Sequence, residues 1–381
     1  MRAISSSTIV TDPYRAGIAL GESLASMPPE VVFLFSSIDY SVPELLEGLH
    51  DALDRDDVIV VGNSGNGFYE TTFSSDRGAA VLGLSSDGQV RWRLAYAERL
   101  HENLDGKLEE LMAKLSADGE TPCLGYLVSD FRVDASRVEA VLRDSVGFPV
   151  VGGLAADDYL MQSSYIYVNR EVLSDALVVL AACGDLRFSI RVGNSLQAIG
   201  RSGRIDAIEG TQLHRVDGLT AKEFIERETG RTVLQTDRGT LSLLVNDAEV
   251  SEEKCLRSII PDLLDTGGSL GLFGGIPRGH SVQVCLARPE DMVAEVRTIA
   301  EAASASGKGA AAALVISCSG RKVLLGEQIK HETRALTEAF APDLPLAGFT
   351  SFGEIAPLRR ADGYTRNLFH NMTYVLLVIE R

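Results

Sequence analysis

Long apolar runs are missing from this chain. No stretch of about 20 apolar residues could span a bilayer, so membrane insertion is not expected. Met1-Arg2-Ala3-Ile4-Ser5-Ser6-Ser7 lacks the apolar core of a signal peptide. Cysteine is sparse. Cys123, Cys183, Cys255, Cys285 and Cys318 are odd in number and widely spaced, with no Cys-x-x-Cys pair. They read as reduced core thiols of a cytoplasmic protein. Positive charge is short, with 36 Lys and Arg against 53 Asp and Glu and a net charge of −17. Such a surface repels phosphate backbones and anionic lipid, which argues against nucleic acid as a partner. The six histidines include no metal-spaced pair, and Gly-Lys-Ser/Thr, the end of a phosphate-binding loop, is absent.

What is present is a pattern that recurs. An apolar strand, Val31 to Phe35, ends in Ser36-Ser37. A helix from about Pro43 to Leu53 follows, then the strand Val58 to Val61, the turn Gly62-Asn63-Ser64-Gly65-Asn66-Gly67 and the strand Ala79 to Leu84. The order returns at Leu124 to Val128, Ser129-Asp130, a helix from about Ala135 to Asp144, Pro149 to Val151, the turn from Gly152 to Asp158, and Ala176 to Leu180. It returns again at Leu314 to Ile316, Ser317 to Gly320, a helix from about Gly326 to Phe340, Leu346-Ala347, the turn Gly348 to Glu354, and Thr373 to Ile379. The fold class expected is α/β, with two domains of mixed sheets flanked by helices, built on repeated strand–helix–strand–turn–strand units. The strand–helix–strand part would be parallel and right-handed, and the returning strand antiparallel. The turns then fall at the carboxyl ends of the parallel strands, where open α/β sheets bind ligands. Short strands around Gly267-Gly268-Ser269 separate the second and third copies, and 300–313 reads as the end of a surface helix and a loop. The domain boundary is placed near His214, giving 1–213 and 214–381.

The third copy concentrates chemistry. Arg321 follows Ser317, Cys318 and Ser319 just past a strand end, and Glu354 is flanked by apolar residues. A buried carboxylate needs a cation or donors. Two readings stand: an Arg321–Glu354 salt bridge, or a zwitterion site with Arg321 for an α-carboxylate and Glu354 for an amine. His370 and Asn371 precede the last strand, His370 as a structural donor, a haem ligand or a base. The first glycine turn has neither dinucleotide nor phosphate-loop spacing, so it reads as a tight turn. Asp157-Asp158 reads as a hydrogen-bonded turn rather than a metal pair.

Gly-Gly-Leu-Ala-Ala-Asp-Asp at 152–158, Ser-Cys-Ser-Gly-Arg at 317–321, Gly-Phe-Thr-Ser-Phe-Gly-Glu-Ile at 348–355 and Phe-His-Asn-Met-Thr at 369–373 together resemble the FIST family of sensory domains. The resemblance covers nearly the whole chain. The first turn departs from it, since the family pattern there is closer to Gly-Cys-Ser/Thr-x-x-Gly-Glu. It implies an intracellular signal-input domain for small ligands such as amino acids, acting on a separate partner such as a histidine kinase. It also implies an alternative, a haem-binding nitric oxide sensor, with His370, His331, His280 and His214 as ligand candidates in that order. A second alternative is a hydrolase or transferase using Cys318 or Glu354. The main expectation is a non-enzymatic sensor with no catalytic residues and no metal. Its ligand would be held by Ser317, Cys318, Ser319, Arg321, Thr350, Gly353, Glu354, His370 and Asn371.

Overall fold

The computed structural model describes residues 1–116, 119–237, 239–246, 254–277, 279–305 and 309–381. Each of the three repeated segments forms a mixed sheet. In the first, Val31–Ser37 runs parallel to Ile59–Gly65 and antiparallel to Ala79–Ser85, with Arg2–Thr8 beyond. In the second, Leu124–Ser129 runs parallel to Val150–Leu154 and antiparallel to Ala176–Gly184, with Val90–Glu98 beyond. In the third, Ala310–Cys318 runs parallel to Leu346–Ser351 and antiparallel to Tyr374–Glu380, with Phe188–Gly193 beyond. The expected parallel crossover and antiparallel return are therefore present three times.

The three units complete one another. The hairpin Phe68–Glu70 and Phe73–Ser75 of the first unit adds to Leu346–Ser351 of the third. The hairpin Glu354–Arg360 and Gly363–His370 of the third adds to Val150–Leu154 of the second. The hairpin Ile166–Val168 and Glu171–Leu173 of the second adds to Ile59–Gly65 of the first. The exchange is cyclic, so each sheet has an edge supplied by a neighbour.

Burial follows strand alternation. Val31, Phe33 and Phe35 share one central core with Leu124, Tyr126 and Val128 and with Ala312, Leu314 and Ile316. The alternate residues face outward under helices: Val32 and Leu34 beneath Pro13–Ser23 and Val42–Leu53, Leu127 beneath Leu104–Leu115 and Ala135–Ser145, and Ala313 and Val315 beneath Pro289–Ser304 and Lys330–Ala339. With both faces covered, these strands read as continuous apolar runs. One glycine recurs in register. Gly62 pairs with Leu34, Gly152 with Leu127 and Gly348 with Val315. A Cβ there would lie 1.8, 1.7 and 2.0 Å from the partner's carbonyl oxygen, so no side chain fits at any of the three.

A fourth, wholly antiparallel sheet lies in sequence between Phe188–Gly193 and Pro289–Ser304. It contains Gln197–Glu209, Gln212–Val216, Leu241–Asn246, Lys254–Ile260, Leu270–Leu272 and Ser281–Leu286. The helix Ala221–Thr229 packs on it, opened by a Thr220–Glu223 capping box and closed by Gly230 at φ 71°. The position between 213 and 214 falls inside one of these strands, Gln212–Val216.

Two local expectations change. The helix expected from about Gly326 begins at Lys330, after a separate short helix, Ser319–Leu325, that starts directly at the strand end. Gly326, at φ 50°, breaks the two apart. At 300–313, the helix Pro289–Ser304 ends and the strand Ala310–Cys318 begins, while 306–308 lie outside the described residues.

Candidate functional site

The three glycine-rich turns meet and bond to one another. Ala156 N–H donates to Ser64 O at 3.0 Å, Asn66 N–H to Thr350 O at 3.2 Å, and Leu154 N–H to Gly353 O at 2.8 Å. Side chains reinforce this ring. Asn66 Nδ2 donates to Asp157 O at 2.9 Å, Thr350 Oγ1 to Gly67 O at 3.3 Å, and Lys322 Nζ to Asn66 Oδ1 at 2.7 Å. The segment expected as a tight turn is mostly strand: Gly62–Gly65 continue the pairing with Leu34–Ser37, and only Asn66 and Gly67 turn, at the point where the ring closes. Asp157 accepts the N–H groups of Met161, Gln162 and Ser163, the hydrogen-bonded turn that was expected.

Beside this ring, at the end of strand Ala310–Cys318, lies a cavity of about 70 Å³. Cys318, Ser319 and Gly320 form one wall where strand passes into helix. Ser351 and Phe352 come from the third turn, and Asn371 and Met372 from the bend before the last strand. Tyr159 and Met161 cover it from the loop held by Asp157, and Ser258 and Phe273 come from the fourth sheet. Tyr159 and Met161 have φ of 74° and 53°, and Tyr159 Oη donates to Ser319 O at 3.1 Å. The loop is held in place by that bond and the Asp157 carboxylate.

Of the residues singled out in sequence, Cys318, Ser319 and Asn371 line this cavity. Glu354 stands directly behind the wall, fully buried. Its Oε1 accepts from Ser351 Oγ at 2.5 Å and its Oε2 from Thr373 Oγ1 at 2.9 Å and Thr373 N at 3.2 Å. Burial raises its carboxyl to about 7 against the opposing pull of those donors. Burial and the neighbouring Glu354 push the Cys318 thiol up. Asn371 spans two sheets, accepting from Ser258 N at 2.9 Å and donating to His370 O at 3.1 Å. Gly353 is needed because a Cβ there would meet the Phe369 ring at 2.5 Å.

The others turn elsewhere. Arg321 is fully buried, but its partner is Glu332, not Glu354. Nε and Nη2 reach Glu332 Oε1 at 2.9 and 2.7 Å. Ser317 Oγ and Tyr69 Oη donate to Glu332 Oε2, each at 3.1 Å. His370 is buried, with Nε2 3.0 Å from Ala356 O, and desolvation lowers it to about 4. His331 lies on helix Lys330–Ala339, and none of the six histidines is among the cavity-lining residues.

Sequence reasoning missed two buried acids. Glu332 shares the apolar stripe of its helix with Ala335 and Leu336, and Glu139 shares one with Ala135, Val138 and Leu142. A carboxylate on an apolar stripe was the available signal. Glu139 Oε2 accepts from Arg257 Nη2 at 2.7 Å, and Arg257 Nη1 donates to Phe369 O at 2.6 Å, which clamps the fourth sheet to the second and third units.

Models of the FIST N domain and the FIST C domain match residues 30–219 and 221–357. The chain belongs to the FIST family. FIST domains are sensory domains of signal transduction. The cavity is built mainly by the FIST C part, with Tyr159 and Met161 contributed by the FIST N part. The chain is also similar to an uncharacterized protein of Methanocaldococcus jannaschii, 21% identical over 242 residues. That match covers 60% of this FIST chain and 47% of the relative's length. Among the described residues no helix is long and apolar enough to cross a membrane, and no cluster of three or more His, Cys, Asp or Glu is poised for a metal.

Proposed function

We propose that this FIST protein is a cytoplasmic sensor that binds a small molecule in the cavity at Cys318, Ser319 and Asn371 and signals through a separate protein such as a histidine kinase. One observation carries the reading. The cavity is walled jointly by the third unit, the Asp157-held loop of the second and the fourth sheet, so occupancy bears on all three at once. The five free cysteines fit a reducing compartment.

Haem is the cofactor the resemblance implied, and the residues here do not fit it. The preferred ligand candidate, His370, has Nε2 against Ala356 O beneath the sheet, and no cavity-lining residue is a histidine. A thiol enzyme is no better supported, since a nucleophilic cysteine needs its thiol lowered and Cys318 is raised.

The test is a thermal-shift screen on the wild type and on Ser319→Phe, which fills the cavity. A ligand-induced shift lost in Ser319→Phe supports the site. A shift that survives the filled cavity places the ligand elsewhere and sinks the reading.

A further inference from the structure

The chain holds five cysteines and six methionines, and their sulfurs are not spread evenly. Cys285, Met292, Cys318 and Met372 are four of the seven residues of one small buried cluster, completed by Leu256, Ala287 and Leu325. The central core, by contrast, has no buried cysteine or methionine among its described residues, so sulfur is not a general filler here. Cys318 and Met372 also line the cavity, and Met161 lines it from the loop held by Asp157. Three sulfur-bearing side chains thus border one space.

Gly320 places two of them. It lies in the helix Ser319–Leu325, just past the strand end. A Cβ on Gly320 would lie 2.4 Å from Met372 Sδ and 3.7 Å from Cys318 Sγ. The two sulfurs are therefore within about 6 Å of each other, and two metal–sulfur bonds of about 2.3 Å span about 4.6 Å. A Cβ on Gly239 would lie 3.9 Å from the same Met372 Sδ, so that sulfur faces two glycines that line the cavity. The Cys318 thiol is held from both sides. Its Sγ accepts from the backbone N–H groups of Met372 and Gly320, and its S–H donates to the Glu354 carboxylate. Burial keeps that thiol protonated in the free protein, but a coordinating metal deprotonates a thiol outright.

A thiolate with thioethers is a soft donor set. Zinc takes thiolate, imidazole and carboxylate, and calcium and magnesium take oxygen, whereas thioether sulfur suits monovalent copper. We propose that the cavity is a site for monovalent copper, held by Cys318 Sγ and Met372 Sδ, with Met161 as a third donor from the loop. Binding exchanges one thiol proton for one Cu(I), and the Glu354 carboxylate, hydrogen-bonded to that thiol, is the proton's first acceptor. This goes beyond the small-molecule reading, because the sulfurs hold the ion whether or not a small molecule shares the cavity.

The experiment titrates the reduced full chain with Cu(I) in the absence of oxygen, against bathocuproine disulfonate as a competing chelator. The methyl signals of Met161 and Met372 are followed, with Met27 and Met112 as buried references elsewhere. The wild type is expected to take up one Cu(I), to gain a thiolate-to-copper absorption band, and to move Met161 and Met372 while the references stay still. Cys318→Ser should abolish the band and weaken binding about a hundredfold. Met372→Leu, which conserves volume, should keep the band and weaken binding about tenfold. Cys285→Ser, in the same cluster but not among the cavity-lining residues, should change neither. If Cys318→Ser fails to fold, Met372→Leu and the methyl signals decide. A wild type that takes up less than one Cu(I) per chain overturns the proposal, as does binding that Met372→Leu leaves unchanged or that leaves both cavity methionines unmoved. In each of those cases the Ser319→Phe screen still decides the small-molecule reading by itself.

Discussion

Glu332 and Glu354 are equally buried in the same unit and are held in opposite ways. Glu332 has a guanidinium on one oxygen and two hydroxyls on the other. Glu354 has hydroxyls, a backbone N–H and a neighbouring thiol, but no cation. The first arrangement fixes a charge and joins strand to helix. The second leaves a carboxyl that titrates near neutrality behind the cavity wall. Compensation by a cation makes a staple, whereas compensation by neutral donors leaves a group still able to change state.

The largest expected effect breaks the staple. Arg321→Ala would strand the Glu332 carboxylate in the interior, at a cost of about 3–5 kcal/mol. Urea unfolding should show a lower midpoint, and Arg321→Met with Glu332→Leu should recover most of the loss. If Arg321→Ala were as stable as wild type, Glu332 would not be held as a buried charge.

The next effect is a matter of sign. Glu354 is raised to about 7, so the native state holds its proton more tightly than the unfolded chain does. Its contribution is fully present below about pH 4.5 and is lost as pH rises to 7, about 3 kcal/mol in all. His370 is lowered to about 4, so its contribution is present above about pH 6.5 and is lost as pH falls. From about pH 4.5 to 6.5 the two slopes oppose each other and nearly cancel. Glu354→Gln should therefore uncover a stability that climbs with pH in that window, and His370→Asn one that declines. Denaturant titrations at three pH values decide it. Two parallel mutant profiles would mean that neither group is perturbed as its burial implies.

Much of this frame was legible in the sequence. The apolar runs ending in Ser36, Ser129 and Ser317 marked three parallel strands, and both strand faces are covered in each. The glycines at 62, 152 and 348 read as turn starts, whereas each lies within the second parallel strand, where the partner strand's carbonyl leaves no room for a Cβ. The cyclic exchange was not legible. Its strands in the first and second units, Phe68–Glu70 and Ile166–Val168 among them, are three residues long, too short for an alternation to show. The strand Lys254–Ile260, carrying Arg257 and Ser258, was also missed. Glu332 was overlooked as the partner of Arg321 because a helix break at Gly326 was read as the helix start. With that break in place, the chain folds Glu332 back over the strand end.

The smallest effect concerns the loop over the cavity. Tyr159→Phe removes one hydrogen bond, to Ser319 O, at a position more than a third exposed. Global stability should change by about 1 kcal/mol or less. Opening of the loop should change more, because its other tether, the Asp157 carboxylate on the N–H groups of Met161, Gln162 and Ser163, leaves the Tyr159 side chain without a second hold. Amide exchange at Met161 to Ser163 should stay slow, whereas a ligand found in the thermal-shift screen should enter and leave faster in Tyr159→Phe than in wild type. The ratio of the two rates, with affinity unchanged, would mark Tyr159 as a latch on the cavity Glu354 stands behind. Equal rates would leave Tyr159 as a wall residue only.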